Sequence, residues 1–195
     1  MAVIPASMNP KLKELKLLLA EGMHQWSLLE LALSHLFASQ VGTKHPLAYI
    51  IWDSVISFDA KLSCLNAVLN FNLKDDDLKA LWGRLGDRIQ KANSLRNQLA
   101  HSGYLSNSKD VYLVPYLSVA AIVTKPKEIK RLKENDLKIR EETFKALVSA
   151  TQWFSIVANP GSQPDSKDVL KAPDLITELR GLIFQTPVKP KRHGR

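Results

Sequence analysis

From Pro10 to Gln40 the chain carries no further proline and a single glycine, Gly22. Pro10 behind Asn9 is a favourable helix start, and Gly42-Thr43 is a break, so the spacing predicts one long helix between them. At about 100° per residue, Leu15, Leu18, Trp26, Leu29, Leu33 and Leu36 share one face, and Leu17, Leu28 and Leu31 fall nearly opposite. A helix with two apolar sides is central in a bundle or shared with a second subunit. Gly22 suits a bend or a close contact. Only 8 glycines in 195 residues argue further against a turn-rich β fold. The class this sets is mainly α.

The rest of the chain extends the pattern. A second helix is predicted from Pro46 to near Asn70, with Ile51, Trp52, Val55, Ile56, Phe58, Leu62, Leu65 and Leu69 on its apolar side. Asp59 and Asn66 interrupt that side, and a core-facing carboxylate needs a positive partner. Asp75-Asp76-Asp77 opens a third helix, where cap and dipole account for three acids better than a metal does. Its buried face runs from Leu78 and Trp82 to Leu99, with Gly103 as its stop. Val111-Tyr112-Leu113-Val114 and the run 117–123 flank Pro115 and read as a hairpin or two extended pieces. Another helix spans about 137–157, capped by Asn135 or Asp136, with Ile139, Phe144, Leu147, Val148 and Trp153 as candidate core. The expected organisation is an extension (1–9), an antiparallel helical domain (10–158, with a hairpin insertion at 110–125), a loop and short helix (159–186), and a basic tail (187–195).

The formal charge is +8, from 27 Lys+Arg against 19 Asp+Glu. Lys189, Lys191, Arg192 and Arg195 crowd the end, either as a solvated terminus or as contacts for nucleic acid. A lone Cys64 excludes an internal disulfide framework and multi-cysteine zinc sites. No apolar run reaches the roughly 18–20 residues of a membrane span, and no export signal is evident, so a cytoplasmic protein is expected.

Most chemistry fails on spacing. The five histidines form no HExxH or i,i+4 pair, so no metal or cofactor is expected. Gly83 and Gly86 make no phosphate loop. The segment 91–104 remains. Arg96 falls on a core-facing stripe with Asn97 beside it and His101 at the helix end. Arginine offers a permanent charge and a fork matched to phosphate oxygens; histidine can take and return a proton near neutrality. Together they suit metal-free phosphodiester cleavage. The plainer alternative is that Arg96 neutralises Asp59 and His101 is an ordinary terminal residue.

Arg96-Asn97-Gln98-Leu99-Ala100-His101 resembles the R-x4-6-H motif of HEPN domains, in the form with Asn after the Arg, and the helical setting over about 10–157 is similar. The resemblance implies an endoribonuclease of toxin or defence type, acting as a homodimer whose two motifs face one cleft. Arg96 would contact the scissile phosphate, Asn97 orient it, and His101 transfer protons; apart from the resemblance, Asp59 is the carboxylate expected to pair with Arg96 inside the bundle. An RNA substrate and a cognate antitoxin are the implied partners. Tyr104 stands one position later than the tyrosine of the His-x-Tyr extension in some of these toxins. A non-catalytic interaction module of the same family is the alternative.

Overall fold

A computed structural model describes residues 10–106, 110–115 and 131–159. The fold is mainly α with one small antiparallel hairpin. The order is α1 (Pro10–Gln40), α2 (His45–Ser54), α3 (Phe58–Asn72), α4 (Asp76–Ala100), β1 (Ser102–Ser106), β2 (Val111–Pro115) and α5 (Glu134–Val157). Among these helices none is long and apolar enough to cross a membrane. The expected extended run at 117–123, the short helix expected within 159–186 and the basic tail lie outside the described residues.

The long first helix forms as expected, and Gly42 ends it in the left-handed region at φ 63°. Gly22 is a point of close approach: a Cβ there would stand 3.6 Å from Leu99 of α4. The expected second helix is instead two. Val55 is extended at φ −83° and ψ 113°, and Ser57 caps a new helix by accepting from the Ala60 N–H at 3.1 Å. Ile56 in the break is 99% exposed, so it and the exposed Ile51 are not core residues. Ser57 and the β-branched run before it carry the reason, because a serine that can cap ends what periodicity alone would continue.

The contacts give the path. Phe58 packs on Trp26, with ring centroids 4.8 Å apart, and Asn72 Nδ2 donates to the Gln40 carbonyl at 2.6 Å. Thus α3 runs alongside α1 in the same direction, and α2 with its extended exit covers the return. Trp82 donates to Asn66 Oδ1 at 2.7 Å, which sets α4 against α3. On α5, Phe144 lies 5.4 Å from Trp26 and Phe154 lies 5.2 Å from Trp82. From α3 to α5 each helix therefore runs opposite to the one before it. Trp26, Phe144, Phe154, Leu29 and Leu33 are fully buried at the centre.

The hairpin differs in register from the sequence expectation. Its first strand is Ser102–Ser106, so Tyr104 faces Leu113 and Gly103 faces Val114. Gly103 is a strand residue, not a helix stop. His101 ends α4, and the chain enters the strand directly. Asp110 sits 3.4 Å from Lys11 and 3.3 Å from Lys133, tying the hairpin to the starts of α1 and α5. These contacts and the Val111 N–H hold its carboxyl below the usual carboxylate range. Asp136 accepts from the Lys133 N–H at 2.9 Å and so acts within the first turn of α5. Ile139 points outward at 53% exposure, because the inward position beside it is taken by Arg140.

Candidate functional site

The last two turns of α4 carry the residues singled out by sequence. At the other end of α4 the Asp75 carboxylate accepts from the Asp77 and Leu78 N–H groups at 2.8 and 3.2 Å, the capping role expected of it. Arg96 is half-buried on the side facing α1. Its Nη1 donates to Asn97 Oδ1 at 2.9 Å, and its guanidinium lies over the Trp26 ring at 5.7 Å. Its ion-pair partner among the described residues is Glu30, at 3.8 Å.

The expected Arg96–Asp59 pair is therefore corrected. Asp59 lies in the first turn of α3 and is exposed. It accepts from Gln90 Nε2 at 2.9 Å and Asn93 Nδ2 at 3.0 Å. The helix break before Phe58 re-phases the residues that follow, turning Asp59 to the rim. Asp59→Ala is accordingly expected to cost about 1 kcal/mol in urea unfolding, the loss of a charge-assisted hydrogen bond to a buried amide. The 3–5 kcal/mol of a broken buried pair is not expected.

Two open cavities meet at Asn97. One, of about 350 Å³, is lined by Glu30, Asp59, Lys61, Asn93, Arg96 and Asn97 among others. The other, of about 500 Å³, is lined by Ser94, Asn97, Gln98, His101 and Pro115. Arg96 and His101 are separated because five residues on a helix make about 140° of rotation. Asn97 is thus the residue common to both. His101 is exposed, and its backbone N–H donates to the Asn97 carbonyl at 3.2 Å. Tyr104 is half-buried on β1 with Lys16 Nζ 5.8 Å from its ring, and burial pushes its hydroxyl pKa up.

Two residues that sequence reading passed over hold this arrangement. Glu30 is the first. Arg140 is the second, 4% exposed on α5, donating to the Leu95 carbonyl at 3.1 Å and to Gln98 Oε1 at 2.9 Å. Burial draws its pKa below the ordinary arginine value, while the charge of Asp136 opposes that fall. The signal was available: Arg140 interrupts the stripe Leu137, Phe144, Leu147 as Arg96 interrupts that of α4. Compared with known proteins, the chain matches no family model, and neither a curated protein nor a solved structure is significantly similar to it.

Proposed function

We propose that the protein binds RNA and cleaves it without a metal ion, at a HEPN-like site made by Arg96, Asn97 and His101. The observation that supports this is the Arg96–Asn97 hydrogen bond at the junction of two cavities, the second of which carries His101. In the reaction the RNA 2′-oxygen loses its proton and bonds to phosphorus, and the 5′-oxygen leaves and takes a proton. The products are a 2′,3′-cyclic phosphate and a 5′-hydroxyl. Arg96 offsets the charge gathering on the non-bridging oxygens, and His101 serves the proton transfers. The test is incubation of purified protein with RNA in EDTA. Cut RNA with cyclic phosphate ends is expected, and DNA, lacking the attacking hydroxyl, survives. A chain that cuts no structured or single-stranded RNA leaves the second reading. That reading is a non-catalytic interaction module, and the Glu30 and Trp26 contacts of Arg96 favour it.

The catalytic reading uses a homodimer, since Arg96 and His101 of one copy line different cavities. On the outer side of α1, Leu17 is 67% and Leu31 53% exposed, an apolar face suited to a second copy of this chain. Leu31→Lys is expected to convert dimer to monomer in sedimentation velocity at micromolar concentration. A wild type that is monomeric there removes the composite site.

A further inference from the structure

Glu30 stands one helical turn after Trp26 and enters the cavity from the wall opposite α4. Its Oε1 accepts the Trp26 indole N–H at 2.7 Å, a full hydrogen bond, and lies 3.8 Å from Arg96 Nη2, an ion pair without one. The indole therefore fixes the carboxylate, which reaches the guanidinium through charge alone. The guanidinium is correspondingly under-used. Its Nη1 meets Asn97, but its Nε is buried with no partner. Asn93 Oδ1, on a side chain 6% exposed in the same wall, is also unpartnered. Around the cavity Glu30 and Asp59 face Arg96 and Lys61, so the formal charges cancel and attraction for an anion is weak.

We propose that Glu30 is a positioning residue that competes with an RNA phosphate for Arg96. Its anchored carboxylate keeps the guanidinium against the cavity wall, and a phosphodiester binds by displacing that ion pair. This rests on Arg96 being the phosphate contact. Asn93 Oδ1, one turn earlier on α4, and the Arg96 Nε–H are the unpartnered acceptor and donor left in this wall for such a rearrangement to use.

Glu30→Gln keeps an oxygen for the indole and removes the charge. The probe is a fluorescein-labelled single-stranded oligoribonucleotide with 2′-O-methyl groups, which cannot be cut. Its Kd for Glu30→Gln is expected about three- to tenfold below that of wild type, and the gain is lost when Arg96→Gln is added. Equal or weaker binding by a Glu30→Gln protein of wild-type melting temperature overturns the proposal. Should that variant be unstable, nitrogen-15 spectra of the wild type decide. Inorganic phosphate should move the Arg96 Nε–H and Trp26 indole N–H signals with one Kd, whereas movement of Arg96 alone overturns the competition. Tighter binding by Glu30→Gln with no cleavage of unmodified RNA by either protein ends the catalytic reading and keeps this one. Arg96-dependent cleavage without the gain in affinity does the reverse. If neither probe binds any of the proteins, both end.

Discussion

Arg140→Ala is expected to lower the stability of the fold by about 2–4 kcal/mol, read as a shift of the urea midpoint at unchanged slope. The guanidinium clamps α5 to the last turns of α4 through the Leu95 carbonyl and Gln98 Oε1, at a site 4% exposed. Truncation leaves Gln98 Oε1 without its donor and opens a cavity where the arginine stem packs. It also removes a cation from near a helix C-terminus, where the dipole favours one. One effect runs the other way: the desolvation that lowers the Arg140 pKa is relieved. Leu95 keeps its helical partner in either protein, so the loss falls on Gln98 Oε1 and on the packed stem of the arginine. Arg140→Met restores bulk but not the donor, so it should recover part of the loss. Lys145→Ala, on the exposed face of the same helix, should stay within about 0.5 kcal/mol of wild type. Amide exchange at Leu99 and His101 should rise in Arg140→Ala more than at Ile89, because the clamp acts on the end of α4.

Why the sequence was legible in some places and not others follows from what each element depends on. The end of α1 and the capped start of α4 rest on local chemistry, and both were readable: Gly42 at positive φ, Asp75 as cap. The split of the second helix at Val55–Ser57 was not, because Ile51, Val55 and Ile56 continue the apolar period through a point where the chain must turn back. There a solvent-facing isoleucine looks the same in sequence as a buried one. Pairing across the bundle was also hidden. An arginine on an apolar face signals that a partner exists, yet which carboxylate meets it depends on helix phase. The turn before Phe58 shifts that phase enough to give Asp59 to Gln90 and Asn93, and Arg96 to Glu30. The strand Ser102–Ser106 was hidden for a similar reason: it has no β-branched residue and is a strand by virtue of Val111–Pro115 beside it.

His101→Ala is expected to reduce RNA cleavage by about 10²–10⁴-fold, the range for loss of a positioned general acid or base, with little change in stability or RNA affinity. The expectation has a structural basis apart from the chemistry. His101 is exposed at the end of α4, and what it contributes to the helix end is its backbone N–H, which alanine retains. Among the described residues the imidazole makes no hydrogen bond, ion pair or ring contact with the bundle. Arg96 differs on each point: it hydrogen-bonds Asn97, lies over Trp26 and faces Glu30, so Arg96→Ala disturbs both site and core. The pair of variants therefore separates proton transfer from charge. If His101→Ala binds the 2′-O-methyl oligoribonucleotide as wild type does and leaves unmodified RNA intact, the histidine acts on the proton alone. If cutting persists in His101→Ala, the assigned chemistry is wrong even for a true nuclease, and the base must be sought elsewhere at the Asn97 junction. Loss of both binding and cutting in His101→Ala would instead make the imidazole a phosphate contact in its own right, a role that its place on the rim of the second cavity also permits.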